Sequence, residues 1–390
     1  MVFDYIGPSG IVVDDVNYTP NASDPSKKIE VGKLYTFKDF SRFATWATFS
    51  KLDIHYGRDI TEPIAIDTYA GGLSCFPGYR DSSANVMTTL DVGKMTFVNS
   101  GGSRTEAYRF RNCISIDKLD LSMYDTTGVK DMREMFYNCR SLKNLYVGNF
   151  DTSLVIDMDS MFKGCESLTH IYGIDMWNLR NATNFQRLFE DCHSLVEITI
   201  PSSLVISSTV FAHMFYNCKS LRTITYDPET TPSGVLLTDS MFFGCESLSE
   251  IPFLSKFSEV CLYSPANMFD GCSALTSVDL SGCTTSDSLY FTDMFKGCAS
   301  LSDITFGTGW GEGNYVYILD LCDCNSSGNY VLSANTWNSM LTMYDRKSAG
   351  SDLFIIRLNS KHITNSGSNV PENWKENMAA RGYTISEVEA

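Results

Sequence analysis

A hydrophobic motif recurs at an almost constant interval through the middle of the chain. Each copy reads Phe-x-x-Cys-x-x-(Leu/Ile), and successive cysteines are 26 or 27 residues apart. The cysteines are Cys113, Cys139, Cys165, Cys192, Cys218, Cys245, Cys272 and Cys298. A repeat of roughly 20 to 50 residues is typical of stacked units that bury their apolar faces on one another. The pattern therefore predicts an α/β repeat solenoid with about eight core repeats.

Within one repeat, the apolar positions change from a helical to a strand period. From Met132 to Cys139 they fall at i, i+3, i+4 and i+7, which is the spacing of one helical face. After the cysteine, Leu145 and Val147 alternate with polar or aromatic neighbours, which is typical of a short strand with one buried face. The sequence thus predicts short helices on one face of the solenoid and a parallel strand ladder on the other.

Two strings of residues carry a resemblance to a known family. The segments DMREMFYNCRSLKNL and FDTSLVIDMDSMFKGCESL resemble the BspA-like leucine-rich repeats of bacterial surface proteins, whose unit has the form Met-Phe-x-x-Cys-x-Ser-Leu-x-x-Leu. The match is close over residues 110–170 and looser up to 306. This resemblance implies a leucine-rich-repeat fold and an adhesive or recognition scaffold, with no catalytic residues to carry over.

The sequence outside the regular repeats divides into further parts. We expect an N-terminal arm at 1–30, an N-terminal cap at 31–92, the repeat solenoid at 93–311, and diverged repeats with a C-terminal cap at 312–390. The arm is rich in turn residues, and its apolar segment 11–13 has no evident partner in a solenoid. We therefore expect the arm to mediate homo-oligomerisation or virion assembly.

Near the C-terminus, the pattern predicts two helices and two strands. The helices contain Trp337 and Trp374, the second of them opened by Pro371. The strands run from residue 353 to 356 and onward from Tyr383, after Gly382 as a helix C-cap.

The charge balance limits the partners of this chain. Its formal net charge is −16, from 46 acidic and 30 basic residues. Phosphate binding requires clustered lysine and arginine, so the charge argues against nucleic acid and against anionic membrane surfaces. The acidity itself is most simply explained by solubility.

The cysteines are expected to be free, buried and small apolar side chains. Eight of the 13 share one position in the repeat, and on stacked helices such positions would lie roughly 10 Å apart, beyond disulfide reach. Ligands arranged in such a row do not converge on a metal ion, and Cys322 with Cys324 is the only close pair in the sequence. We therefore expect no metal and no cofactor.

The start of the chain favours a particular setting. It lacks a basic segment followed by an apolar stretch, and no window reaches ~18 consecutive apolar residues. Many free thiols fit synthesis in a reducing cytoplasm. These features favour a bacteriophage virion component of the tail-fibre or receptor-binding type, without membrane insertion. The alternative is a secreted bacterial or protist surface adhesin whose export signal is missing.

No catalytic motif stands out. The five histidines occupy different positions, so we expect no His–carboxylate dyad, and there is no nucleophile elbow, P-loop or H-E-x-x-H. The sequence therefore predicts a protein that is not an enzyme. The alternative is a glycan-active enzyme on a repeat scaffold, which would need a pair of carboxylates facing each other across a cleft.

The outward face of the predicted strands is the remaining candidate site. Residues between the buried strand positions point away from the core, and the early repeats place aromatic side chains there. The candidate ligand-binding residues are Asn144, Tyr146, His170, Tyr172, Glu197 and Thr199. Exposed aromatic residues on a rigid surface often bind proteins or glycans, although a merely solvated sheet face would have the same alternation. The predicted partner is a host-surface protein or glycan.

Overall fold

The chain divides into two compact units, Met1–Ala182 and Thr183–Ala390. The division falls within the predicted repeat region, and the domain boundaries expected from the sequence stay predictions. The computed structural model describes six strands before residue 105, and residues 105–389 except 115, 122–123, 286–290, 312–316 and 347–353.

The strands of the first unit form a mainly parallel arrangement. One sheet has the strand order β2-β1-β3-β5-β7, and β4 pairs with β6 and β8 with β9. The strands are β1 (Gly10–Val13), β2 (Leu34–Tyr35), β3 (Lys51–His55), β4 (Ile64–Thr68), β5 (Thr89–Asp91), β6 (Met95–Asn99), β7 (Lys118–Asp120), β8 (Asn144–Tyr146) and β9 (His170–Tyr172).

The apolar segment of the predicted N-terminal arm has strand partners. β1 pairs antiparallel with both β2 and β3, and Ile11 lies opposite Tyr35 on one side and Ile54 on the other. The expectation that residues 11–13 have no partner is therefore wrong. These residues form the one antiparallel strand in a sheet that continues in parallel through β5 and β7.

The predicted strand period is confirmed in the repeats. Leu145 in β8 and Ile171 in β9 are buried, and the residues on either side of each point outward. β8 and β9 pair in parallel, with Leu145 opposite Ile171. Equivalent residues of neighbouring repeats therefore lie one strand spacing apart.

The predicted helices before each cysteine are absent, and this expectation was wrong. Residues 133–138 form consecutive turns, in which Glu134 and Asn138 have φ angles of 53° and 61°. A left-handed residue at every fourth position is incompatible with an α-helix. Two four-residue turns bury positions i, i+3, i+4 and i+7, which is why the pattern resembles a helical face.

The backbone hydrogen bonds of these turns explain why the arrangement is stable. Alternate amides donate to the next repeat, as from Glu134 N to Asp159 O at 2.9 Å and from Phe136 N to Met161 O at 2.8 Å. Between them, Cys139 N closes a turn onto Phe136 O at 3.1 Å. Half of the amides thus bond within a repeat and half between repeats, so the buried backbone is satisfied without a helix.

Phenylalanine and cysteine side chains form two parallel rows beneath these turns. The rings of Phe110, Phe136 and Phe162 stack with centroids 5.4 and 5.3 Å apart. Cys165 Sγ donates to Phe136 O at 3.1 Å, and Cys139 Sγ to Phe110 O at the same distance. The repeats are thus one strand spacing apart rather than one helix diameter, so the reason given for expecting free thiols was wrong.

The repeat cysteines are nevertheless free in the described structure. All eight are buried and none is in a disulfide. Burial raises the pKa of the Cys139 thiol well above its usual range, with Cys113 and Cys165 adding to the effect. The thiol is therefore protonated and able to donate its hydrogen bond.

The second unit has a row of stacked phenylalanine rings of its own and contains a second parallel sheet. Its phenylalanine rings, from Phe189 to Phe295, stack at 5.5 to 5.7 Å. β10 pairs with β12 and β15 with β17, while β11, β13, β14 and β16 form a separate sheet. The strands are β10 (Glu197–Ile200), β11 (Ser208–Val210), β12 (Thr223–Tyr226), β13 (Gly234–Leu237), β14 (Val260–Tyr263), β15 (Ser277–Leu280), β16 (Cys283–Thr284) and β17 (Asp303–Phe306).

One predicted strand is replaced by a short helix. The sequence pattern places a strand at residues 250–252, but the structure has a 3₁₀ helix at Pro252–Lys256. Pro252 has no amide hydrogen to give to a strand pairing, and it occupies the start of the helix, where none is needed. Further 3₁₀ helices are Ile174–Met176, Ser326–Gly328 and Gly367–Asn369.

The C-terminal elements agree with the sequence pattern. Three parallel strands, β18 (Tyr317–Asp320), β19 (Phe354–Asn359) and β20 (Tyr383–Val388), alternate with helices α1 (Ala334–Thr342), α2 (Ser360–Ser366) and α3 (Trp374–Ala380). The helices around Trp337 and Trp374 and the strand from Tyr383 are confirmed, whereas α2 was not predicted. The two tryptophan rings meet edge to face at 4.9 Å.

A buried histidine makes the stability of this region depend on pH. His362 Nδ1 accepts from Asn359 N at 3.1 Å, so the proton is on Nε2, which donates to Cys324 O at 2.7 Å. Burial lowers the pKa of His362, while hydrogen bonds to Cys324 and Asn359 act the other way. The unfolded chain therefore binds this proton more readily than the folded chain.

We expect the stability contributed by neutral His362 to be present above pH ~6.5 and lost as the pH falls from there through the folded pKa. Urea denaturation between pH 7 and pH 5 measures this slope. The variant His362→Gln is expected to be less stable at pH 7 and to have a shallower slope. A variant slope equal to that of the unaltered protein contradicts the assignment.

Candidate recognition surface

Four of the predicted site residues lie together on the outward face of β8 and β9. The parallel register places Asn144 opposite His170 and Tyr146 opposite Tyr172. The planes of the His170 and Tyr172 rings are nearly parallel, with an angle of 10° between them, and the ring centroids are 5.8 Å apart. The alternation of the strands thus produces one contiguous surface, and Asn144 Oδ1 at its border accepts from Thr169 Oγ1 at 3.3 Å.

A methionine that the strand pattern did not include completes this surface. Met176 ends the 3₁₀ helix after β9 and is 67% exposed, while Tyr146 and Tyr172 are 50% and 53% exposed. We call Tyr146, His170, Tyr172 and Met176 the tyrosine patch. The large apolar or aromatic side chains that are exposed in the described residues all lie within residues 146–176, where Leu154 and Ile156 are the others.

Two glycines determine how the tyrosine patch is arranged. A Cβ at Gly148 would lie 2.9 Å from Tyr146 Oη and 3.2 Å from Met176 Sδ, so both side chains extend over this backbone. Gly173, with a φ angle of 81°, lies against Gly148, whose Cα would be 2.4 Å from an added Cβ. The close approach of these two loops brings Met176 beside Tyr146.

The remaining predicted site residues lie in the second unit. Glu197 and Thr199 are exposed on β10, opposite Thr223 and Thr225 of β12. Their outward direction follows from the same alternation, with Ile198 buried between them. As parts of a ligand site, all six predicted residues stay predictions.

One histidine lies next to a carboxylate, although the sequence predicted no His–carboxylate dyad. His213 Nε2 lies 3.1 Å from Asp239 Oδ2, because adjacent repeats place these positions side by side on the turns. Both side chains are partly exposed. A histidine paired with a carboxylate needs a reacting proton or nucleophile within reach before it can act as a general base, so the contact alone defines no catalytic site.

Two searches of the described residues concern metals and membranes. In this part of the chain, no group of three or more His, Cys, Asp or Glu side chains is placed to hold a metal ion. None of the helices described above has the length and apolar character needed to cross a membrane.

Two family models match parts of the chain. Residues 106–227 match the family described as Mycoplasma protein of unknown function, DUF285, and residues 186–312 match six copies of the BspA type leucine rich repeat region. Residues 186–312 are thus leucine-rich repeats of the BspA type, which confirms the resemblance seen in the sequence. The parallel strands with buried aliphatic residues agree with a leucine-rich-repeat-like fold, while the continuous solenoid and its eight repeats stay predictions.

Comparisons with individual proteins say less about this chain than the two family models do. No curated protein matches the chain. Among solved structures, it is similar to a leucine rich cell surface protein from Faecalibacterium prausnitzii A2-165, at 16% identity over 95% of this chain and 97% of that one. The TM-score is 0.26, which is too low to support an inference.

Proposed function

We propose that this chain is a non-enzymatic recognition protein that binds a partner protein through the tyrosine patch. The observation that carries the proposal is the high exposure of Tyr146, Tyr172 and Met176, which lie together at β8 and β9. Such side chains are costly to leave in water, and their clustering on a rigid sheet is typical of an interaction surface. Repeats of the BspA type support the general class of adhesion and recognition.

The chemistry of the tyrosine patch favours a protein over a glycan. Tyrosine and methionine are enriched in protein interfaces, and tyrosine gives a large contact area at little entropic cost. The ring faces of Tyr146 and Tyr172 would serve either class of partner, whereas the thioether of Met176 offers a glycan no strong hydrogen bond. Asn144 at the border already accepts a hydrogen bond from Thr169.

Binding of the labelled chain to intact cells tests this proposal. We expect Tyr146→Ala with Tyr172→Ala to weaken binding to a panel of bacterial and epithelial cells at least ~30-fold, because two interface tyrosines commonly contribute ~2 kcal/mol or more. Protease treatment of the cells is expected to abolish binding of the unaltered chain, and periodate oxidation to leave it intact. Normal binding by the double variant contradicts the proposal, and loss on periodate treatment alone indicates a glycan.

Gly148→Ala is a matched variant that removes no aromatic group. Its added Cβ would displace the ends of Tyr146 and Met176, which are flexible side chains, so we expect weaker binding with little change in thermal stability. Thr225→Ala is the control at an exposed strand position outside the six predicted site residues. It is expected to bind normally, and a loss equal to that of the double variant would contradict recognition through the tyrosine patch.

The biological setting is a separate part of the proposal. We propose a virion component that recognises a host surface, with a cell-surface adhesin as the alternative. An antibody against the chain separates the two, because it detects the protein in purified particles in the first case and in the cell-envelope fraction in the second. Detection in the envelope alone contradicts the virion proposal and leaves recognition through the tyrosine patch intact.

A further inference from the structure

A cavity of about 520 Å³ opens on the second parallel sheet of the second unit. Paired residues of three neighbouring strands form the floor of the cavity. Val235 of β13 lies opposite Cys261 of β14, and Cys261 lies opposite Thr284 of β16. Beyond Thr284 lies Gly309, a turn residue whose carbonyl accepts from Thr285 N at 3.3 Å. With neighbouring strands about 4.8 Å apart, the three strand positions span about 10 Å.

The floor is open because its side chains are small and one is missing. A Cβ at Gly309 would lie 2.7 Å from Thr284 Cγ2, so a larger residue there would crowd Thr284 at the floor of the cavity. Cys261 is 6% exposed and lies beneath the opening, whereas Val235 and Thr284 are half-buried. The volume falls within the range of about 300 to 1,000 Å³ typical of small-molecule sites.

Tyr344 and Glu259 contribute the larger side chains of the cavity. Tyr344 is fixed at its backbone, because its amide donates to Trp310 O at 2.8 Å and its carbonyl accepts from the Tyr383 hydroxyl at 2.8 Å. Glu259 comes directly before β14, is exposed, and adopts a left-handed conformation with a φ of 56°. One lining residue is therefore aromatic and rigidly anchored, and another carries a negative charge.

The charges of the residues at the cavity favour a ligand that carries a positive charge. Among the described lining residues, Glu259 is the one carboxylate and none is a lysine or arginine. The whole chain carries a net charge of −16, which raises the local concentration of cations near its surface. An aromatic ring also attracts a cation held over its face.

We propose that this cavity binds a small organic cation, a primary amine on a flat apolar body. The amine pairs with the Glu259 carboxylate, while the apolar body lies over Val235 and Thr284 and against the Tyr344 ring. This site is separate from the tyrosine patch, since the described residues that line it all belong to the second unit. Its ligand is selected by charge, unlike the partner proposed for the tyrosine patch.

Phenethylamine, 2-phenylethanol and phenylacetate test the proposal, because they share one ring and differ in charge. Ligand-observed NMR is expected to detect binding of phenethylamine to the unaltered chain, at least ~10-fold weaker binding of the alcohol, and no binding of the acid. Glu259→Gln is expected to weaken phenethylamine binding ~10-fold, and Thr308→Trp to abolish it by filling the exposed rim. Glu250→Gln, which neutralises an exposed carboxylate outside the cavity, is the control and is expected to bind normally.

Several results would overturn this proposal. Equal binding of the amine and the alcohol would remove the role of charge, and an unchanged affinity in Glu259→Gln would remove the role of that carboxylate. Absence of phenethylamine binding at millimolar concentration would also contradict the site. A loss of affinity in Glu250→Gln equal to that in Glu259→Gln would show nonspecific attraction to an acidic surface.

Discussion

Replacing Phe136 with alanine is expected to lower the free energy of unfolding of the first unit by about 3 to 5 kcal/mol. The Phe136 ring is fully buried between Phe110 and Phe162. Alanine would leave a cavity between the Phe110 and Phe162 rings. These rings cannot move together to fill it, because hydrogen bonds between the repeats hold them at a fixed spacing. Urea denaturation, with hydrogen exchange followed over residues 105–182, measures the loss.

Tyr146→Ala is the control for this substitution. It removes an aromatic ring of similar size from the same unit, but from a half-exposed position. We expect a change within about 0.5 kcal/mol, as for most surface substitutions. Similar losses for the two variants would contradict the assignment of the phenylalanine row as the core.

Gly282→Ala is expected to cost the second unit about 3 kcal/mol, the upper end of what overpacking usually costs. An alanine Cβ would lie 1.9 Å from Phe257 O and 2.5 Å from its carbonyl carbon, so the backbone itself must move. Gly282 O also accepts from Val260 N at 3.0 Å, which joins it to β14. The expected result is a lower urea midpoint for the second unit, with faster hydrogen exchange in β14 and β16.

Gly367→Ala separates crowding from backbone strain. No atom lies within 4 Å of a Cβ at Gly367, but its φ angle is 51° and its ψ angle is −118°, a conformation that favours glycine, so alanine there meets backbone strain of about 1 to 3 kcal/mol without crowding. If Gly282→Ala costs no more than Gly367→Ala, the close approach to Phe257 does not limit the stability of the second unit.

The strands were predicted from the sequence and the turns were not. Alternation around Leu145 and Ile198 identifies a half-buried strand without reference to any other repeat. The spacing from Met132 to Cys139 is common to a helix and to two consecutive turns, so it does not decide between them. A deciding signal was present, because every repeat cysteine follows asparagine, aspartate or glycine, which are the residue types that best tolerate a positive φ.

The second parallel sheet depends on contacts that are distant in sequence. β13 follows a turn-rich segment with two prolines, and its partner β14 lies 26 residues further along the chain. β16 has only two residues. No local pattern distinguishes such segments from the loops around them, since their pairing is set by the stacking of the repeats.

The part of the candidate surface that lies on strands was predicted from the sequence, and the part beyond them was not. Asn144, Tyr146, His170 and Tyr172 follow from alternation alone, and the register of β8 and β9 places them together. Met176 lies beyond the strand, and its position depends on the contact between Gly148 and Gly173. That contact is between two repeats, so the sequence of either repeat alone does not indicate it.

The row of cysteine thiols makes the unfolding of this protein sensitive to oxidants. In the native chain each described repeat thiol is buried, and burial keeps Cys139, Cys218 and Cys298 protonated, so reaction with an oxidant is slow. Global unfolding exposes all of them together, and a disulfide then formed between cysteines of distant repeats joins sulfurs that must separate before the chain can refold. In an oxidising medium, the lifetime of the protein is therefore set by its rate of unfolding rather than by its equilibrium stability.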